Sequence, residues 1–296
     1  MDDAIACIRA FNRAVTERAG ALEETYLGRG RPLGETRMLW EIGTEGSDVR
    51  TLRRRLGLDA GYVSRMLRAL EHDGLVTVGP SAGDRRVRRA RLTRRGRTER
   101  ARLDRRSDDL VRSMLEPLDE RQQARLVAAA REVELLLRAS MVEIGPADPA
   151  DRDARWCIAR YVEELGDRFE GGFDPGKSLP AADDDLRPPR GVILVARLRG
   201  APAGCGAVKL HGAQPAELKR MWVAPSARGL GLGRRLLREL EAFAASAGAA
   251  TVRLETNRTL SEAIALYRSA GYEEVPAFND ERYAHHWFEK RFDPRI

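Results

Sequence analysis

Apolar positions in the first part of the chain recur at helical spacing. Ile5, Ile8, Phe11 and Val15 share one face of residues 3–27, which predicts a helix ending at the break Gly28-Arg29-Gly30-Arg31-Pro32. Residues 35–42 predict a short second helix. Val49, Leu52 and Leu56 form a stripe that Gly57 closes, and Val63, Met66, Leu67 and Leu70 form another at i, i+3, i+4, i+7. Two short amphipathic helices across a tight glycine turn predict a helix-turn-helix. The period then changes. Residues 74–78 and 84–92 read as β runs around Gly79-Pro80-Ser81-Ala82-Gly83, a hairpin. Thr93 is placed to cap a helix reaching about residue 115, which Pro117 interrupts. Asp119 opens a further helix with Leu126, Val127, Ala130, Val133 and Leu137 on one stripe.

Gly145-Pro146-Ala147-Asp148-Pro149 marks a boundary, with 142–144 as a candidate first strand beyond it. Residues 149–168 predict a helix carrying Trp156, Ile158, Tyr161, Val162 and Leu165, and residues 171–185 a loop-rich acidic stretch. Apolar β runs follow at 191–198, 203–210 and 217–223, then a glycine-rich turn and a helix at about 231–247. A strand at 251–255, a helix at 259–270 and strands at 271–275 and 286–291 complete an α+β or mixed-sheet domain.

Length agrees with that division: 296 residues suggest about two domains. Apolar runs such as 192–196 are far too short to cross a bilayer, and Met1-Asp2-Asp3 does not begin a signal peptide. Cys7, Cys157 and Cys205 are odd in number and distant in sequence, against a disulfide framework or a metal knuckle. A cytoplasmic protein without membrane or metal is expected. Charge changes the picture more. The net of +7 conceals a window, residues 50–106, with 18 arginines and six acids. Such a block is an electrostatic footprint for a polyanion. The second helix of the helix-turn-helix offers Tyr62, Ser64, Arg65 and Arg68 on its polar side, suited to base edges in a major groove.

Residues 1–143 resemble the MarR family of winged helix-turn-helix regulators. The resemblance rests on Leu70-Glu71-His72-Asp73-Gly74-Leu75-Val76 and on the wing Asp84-x-Arg86 leading to Leu92-Thr93. It implies a mainly α winged-helix domain, 1–141, that dimerises through its terminal helices and reads a palindromic operator in double-stranded DNA. The implied DNA-binding residues are Arg50, Tyr62, Ser64, Arg65, Arg68, Asp84, Arg85, Arg86 and Arg88, with the wing aspartate orienting the arginine beside it. Some relatives carry a sensor thiol on the first helix; for Cys7 the expectation is a buried structural thiol, and for Trp40 core packing.

Arg228-Gly229-Leu230-Gly231-Leu232-Gly233-Arg234 lies between a strand and a helix, where backbone N–H groups at the helix start face an anion. It lacks the Gly-Lys-Ser/Thr ending of a Walker loop, and its strand arrives fourth rather than first, unlike a Rossmann fingerprint. It resembles the pyrophosphate loop of the GNAT acetyltransferases, Gln/Arg-x-x-Gly-x-Gly/Ala. Ala216-Glu217-Leu218-Lys219-Arg220-Met221-Trp222-Val223, Glu255-Thr256-Asn257 and Ala265-Leu266-Tyr267 extend that resemblance. It implies an α+β GNAT domain, 142–296, using acetyl-CoA bound by residues 221–223 (Met221, Trp222, Val223), 228–234, Asn257 and Tyr267. Glu217 is implied as general base, the competing role being a strand ion pair with Lys219 or Arg220; Tyr267 is implied as general acid. The implied acceptor site holds Phe169, Glu170, Phe173, Asn279, Tyr283, His285 and His286, of which adjacent strand histidines face opposite ways.

The expected function is a regulator fused to an N-acetyltransferase acting on a primary amine of a small molecule, such as an amino acid, or of a peptide. Two readings compete with it. One makes the second half a non-catalytic acetyl-CoA or metabolite sensor controlling a repressor. The other makes the first half only a dimerising module for an enzyme.

Overall fold

The computed structural model describes residues 1–20, 26–28, 30–81, 83–179, 181–212 and 214–292. They fall into two compact units, Met1–Ala130 and Arg131–Ile296.

The first unit contains α1 (Asp2–Arg18), α2 (Leu33–Ile42), β1 (Ser47–Asp48), α3 (Val49–Leu56), α4 (Ala60–His72), β2 (Val76–Pro80), β3 (Arg88–Leu92), α5 (Arg94–Leu115) and the start of α6 (Glu120–Ser140). The helix predicted over 3–27 ends early because Gly20 turns away at φ 62°; residues 21–25 lie outside the described residues, and Tyr26–Gly28 is a separate turn. Gly57 takes the left-handed conformation at φ 65° and its N–H bonds back to the last turn of α3, separating it from α4. Asp59 caps α4 by accepting the Tyr62 N–H at 2.9 Å. Met38, Leu39, Leu52, Val63, Leu67, Leu70, Leu92 and Leu103 form the core. Trp40 joins its edge and donates to Asp104.

The run Glu71–Gly74, conspicuous in the sequence, is a joint. Glu71 accepts the Val78 N–H of the hairpin at 2.8 Å, Asp73 pairs with Arg31, and Gly74 offers its carbonyl to Thr93. Thr93 also caps α5 through the Gly96 N–H. β2 and β3 pair from Val76↔Leu92 to Pro80↔Arg88, and β1 pairs on the far side of β3. By contrast α1 buries none of its residues, and Cys7 on it is exposed, not buried as expected.

In the second unit only Met141 separates α6 from β4 (Val142–Ala147). The predicted linker is therefore partly strand, since Gly145, Pro146 and Ala147 pair with Val195, Leu194 and Ile193. Then come α7 (Arg152–Arg168), β5 (Gly191–Leu198), β6 (Ala201–His211), β7 (Gln214–Val223), α8 (Leu232–Ser246), β8 (Thr251–Thr256), α9 (Ser261–Ser269), β9 (Glu273–Val275) and β10 (His286–Arg291). Their sheet runs β4-β5-β6-β7-β8-β10-β9, antiparallel except at β7–β8. Alternation along β6 turns Gly204 and Gly206 toward Leu236 and Leu240 of α8, and Cys205 toward Cys157 of α7, so helices cover both faces. Among the described residues no helix is long and apolar enough to cross a membrane.

Gly96 lets α5 start against the strand: a Cβ there would lie 2.0 Å from the Leu75 carbonyl oxygen. Gly96→Ala gains about 1 kcal/mol of helix propensity, but overpacking against backbone costs about 1–3 kcal/mol or more. We expect net destabilisation in denaturant unfolding; an unchanged or raised midpoint would contradict this packing.

Candidate active site and DNA-binding surface

The site arises where two strands part. β7 and β8 run parallel but pair only at Ala216↔Val252 and Glu217↔Arg253. Beyond those pairs a cavity of about 360 Å³ opens, lined by Lys219, Arg220 and Met221 on one strand and Leu254, Glu255 and Thr256 on the other. A bulge shapes the β7 wall: Cys205 and Ala207 of β6 oppose Trp222 and Lys219, leaving one extra residue in β7. Arg220 sits in the bulge at φ 56°, a left-handed conformation that costs a branched-free but large side chain roughly 1–3 kcal/mol. Its carbonyl accepts the Cys205 thiol at 3.3 Å and its guanidinium donates to the Ala181 carbonyl at 2.6 Å, so the surroundings hold it there.

Glu217 does not line this cavity. Its carboxylate is engaged by the Arg253 guanidinium at 2.7 Å, with Lys219 and His211 each 3.6 Å away. Burial pushes the Glu217 carboxyl up, but the Arg253 hydrogen bond and the charges of Lys219, Arg253 and His211 outweigh it and hold it below its ordinary value. Glu217 thus stands in a strand ion pair outside the cavity, with Lys219 as expected and Arg253 in place of Arg220. Two other carboxylates line the cavity, Glu281 and Glu255; the Glu255 side chain is only 9% exposed, bonded to Lys219 and near Asn279. Strict alternation in Thr251–Thr256 was the available signal: buried Val252, Leu254 and Thr256 put Arg253 and Glu255 together on the other face.

Tyr267 lines the same cavity from α9. Burial, and then the charge of Glu255, push its phenol far above the ordinary value, so the hydroxyl stays protonated and can act as a hydrogen-bond donor. Asn257 also lines the cavity, but its amide is largely engaged: it donates to the Tyr283 carbonyl at 2.7 Å and accepts from the Thr259 N–H and hydroxyl.

Gly229 and Gly231 take φ of 79° and 68°, bending the loop into the start of α8. Gly231 carries no side-chain cap, and the first i→i−4 bond comes from Arg235, which leaves earlier N–H groups available to an anion. Leu230 and Leu232 are buried, so only their backbone is available. The arginines behave differently from expectation. Arg228 grips Glu164 of α7 at 2.6 Å through both carboxylate oxygens and donates to the Val223 carbonyl, while Arg234 fastens Ser269 at the end of α9. Glu164 additionally takes the Trp222 indole N–H at 2.9 Å and Arg168 at 3.2 Å. That places the Trp222 side chain against α7, in edge contact with Trp156, rather than in the cavity. The loop also meets the last turns of α6: Arg138 donates to the Ser226 carbonyl, and Arg235 to the Ala139 and Val142 carbonyls.

A family model described as acetyltransferase (GNAT) domain matches residues 189–274, and one described as MarR family matches residues 29–87. An IAA acetyltransferase of Azospirillum brasilense is 40% identical over 119 residues, covering 39% of this chain and 76% of the relative. The chain belongs to the GNAT acetyltransferases. N-alpha-acetyltransferase RimI of Mycobacterium tuberculosis is 36% identical over 121 residues, 40% of this chain and 73% of the relative. Among solved structures, a GNAT family acetyltransferase from Elizabethkingia anophelis with acetyl-CoA bound shares 14% identity over 51% of this chain and 99% of its own, at a TM-score of 0.37. The GNAT half is an N-acetyltransferase that uses acetyl-CoA, and it follows a MarR domain.

Of the residues expected at the GNAT acceptor site, Phe169, Phe173 and Tyr283 form one aromatic cluster, with ring centres 4.9–5.8 Å apart. They wall both the first cavity and a second of about 520 Å³, which Glu170 and His285 also line. Glu170 is paired with Arg258. Asn279 accepts the Trp287 indole N–H, and His286 bonds Glu274 at 2.6 Å; neither lines a cavity. Glu281, missed in the sequence, is buried beside the first cavity and accepts from Ser178, Leu179 and Tyr283.

In the MarR domain Tyr62, Arg65 and Arg68 are exposed along α4 and Ser64 is half-buried, with the Arg65 guanidinium lying over the Tyr62 ring. Asp84 orients the wing through the Arg86 backbone N–H at 2.8 Å, not through its guanidinium. Arg50, Arg68, Arg85, Arg86 and Arg88 are exposed and form no salt bridge with any described residue. Arg89, in contrast, ties the wing to Asp48 and to the Glu45 and Gly46 carbonyls.

Because Glu164 gathers Arg228, Trp222 and Arg168, its loss releases the start of the glycine loop. Hydrogen bonds to charged groups are worth about 1.5–3 kcal/mol, so Glu164→Ala is expected to raise the KM for acetyl-CoA at least about tenfold with kcat little changed. An unaltered KM would contradict a bracing role.

Proposed function

We propose that this chain is both a DNA-binding transcription regulator and an acetyl-CoA-dependent N-acetyltransferase acting on the primary amine of a small molecule such as an amino acid. The observation that carries the enzymatic reading is the pairing of Glu255 and Tyr267 in one cavity, where β7 and β8 part beside the glycine loop. In this reading Glu255, in place of Glu217, takes a proton from the acceptor ammonium. The free amine attacks the thioester carbonyl, whose oxygen is met by β7 backbone N–H groups around 221–223. Tyr267 donates its hydroxyl proton to the departing sulfur as the C–S bond breaks, and the proton that the nitrogen loses on forming the amide restores the phenol. Glu217 steadies Lys219, which in turn holds Glu255. The glycine loop receives the coenzyme's pyrophosphate on backbone N–H groups.

The regulatory reading rests on arginines left without carboxylate partners on α4 and the hairpin, which suit phosphates and guanine edges. Exposed apolar side chains in the first unit support a homodimer: Ile8 is 56% exposed and Leu126 45%, alongside Ile5, Phe11, Val15 and Val127. A palindromic operator matches such a dimer. We place the domain seam at 141/142, where β4 begins.

Removal of a general base costs about 10²–10⁴ in rate. Glu255→Gln is therefore expected to fall by that factor in kcat/KM, and Glu217→Gln by less, in an assay of coenzyme A release with an amine panel. The reverse order would restore Glu217 as the base; no release with any amine would favour a sensor. For DNA, Arg86→Ala should weaken duplex retention and flatten its salt dependence by about one unit of slope. Arg65→Ala should relax sequence preference; retention indifferent to both changes would contradict the assignment. Leu126→Glu should convert a dimer to a monomer in sedimentation, and an unchanged dimer would place the interface elsewhere.

A further inference from the structure

The second cavity bears a different charge from the first. The first presents Glu255 and Glu281, and its cations are engaged: Lys219 holds Glu255, and Arg220 holds the Ala181 carbonyl. The second is lined by Lys177, Arg258, Arg282 and His285 against Glu170 and Asp174. Both of those carboxylates already have partners, Glu170 with Arg258 at 2.8 Å and Asp174 with Lys177 at 3.2 Å. Arg282 forms no salt bridge with any described residue; Asp174 is held below the ordinary carboxylate value by the Gly176 N–H and Lys177 first, and only then by the charge of Arg282. Cations therefore exceed anions here, and Arg282 and His285 are the groups left to meet a ligand. The rings of Phe169, Phe173 and Tyr283 line both cavities.

An acceptor whose amine reaches Glu255 thus meets carboxylate first, then aromatic faces, then cationic groups. We infer that the acceptor is an amine carrying a carboxylate at the far end of an apolar body, and that Arg282 with His285 binds that carboxylate. This rests on the acetyl-transfer reading above. Arginine suits the task because its planar fork matches a carboxylate bidentately. The Glu170–Arg258 pair is exposed on both sides and screened by solvent, so it adds little to the site. Glu170 lines the second cavity and is paired with Arg258. His286 is bonded to Glu274 and plays no part.

The test compares ω-amino acids and aromatic amino acids with amines matched in length and shape but lacking the carboxylate. In wild type the carboxylate-bearing member of each pair should have a kcat/KM at least about tenfold higher, mainly through KM. Arg282→Ala should bring that ratio down toward one, and Arg282→Lys should recover part of it. Equal kcat/KM across the pairs, or a ratio that survives Arg282→Ala, would overturn the inference while leaving acetyl transfer intact. Absence of turnover with every amine would instead overturn the enzymatic reading. Titration calorimetry of the same amino acids onto the protein with coenzyme A bound then decides the subsite: weaker binding in Arg282→Ala supports it, and binding unaffected by the change overturns it.

Discussion

The second unit depends on a ladder that stops. β7 and β8 share two registered pairs and then separate, so the β7 backbone beyond Glu217 is bonded to β6 on one side and lacks β8 on the other. Backbone donors and acceptors removed from water need partners. An extended arm with amide groups is what such an edge accepts, and the coenzyme of a GNAT enzyme supplies one. The bulge at Arg220 sits on that edge and turns the chain so that Met221 lines the gap. The groups proposed for acetyl transfer lie along that gap: Glu255 on the departing strand, Tyr267 on the helix that follows it, and the glycine loop after the end of β7.

Charge in this arginine-rich chain is divided between structural and available groups. Arg228, Arg234, Arg235 and Arg253 all stand near the coenzyme region, yet each is fixed to a protein acceptor: Glu164, Ser269, the end of α6 and Glu217. What stays open to an anion there is the uncapped backbone at the start of α8. In the MarR domain the balance is opposite, because Arg89 and Arg31 fasten the frame while the exposed arginines of α4 and the hairpin keep no carboxylate. The frame thus holds them in place without neutralising them.

Local chemistry in the sequence located most elements. The i, i+3, i+4, i+7 stripe of Val63 to Leu70 became α4, Gly57 became its separating turn, and Thr93 became the cap of α5. The glycine spacing from Arg228 to Gly233 marked the loop before α8. What could not be read were partners set by tertiary register. Glu217 and Arg253 are 36 residues apart, Glu164 and Arg228 are 64 apart, and no spacing rule joins them. The loop-like composition of Gly145-Pro146 hid an edge strand, where a proline is tolerated because one side of the ladder is unpaired. The stripe on α1 was legible, but burial was wrongly assumed for Cys7, since an apolar face can await a partner outside its own chain.

The most direct measurement is a crystal structure of the chain with coenzyme A. If the parting of β7 and β8 is the acetyl-transfer site, the sulfur lies between the backbone at Met221 and the Tyr267 hydroxyl, within about 3–3.5 Å of that hydroxyl. The carboxylate nearest to it across the cavity is then Glu255. A sulfur held elsewhere, or one whose nearest carboxylate is Glu217, would contradict the account.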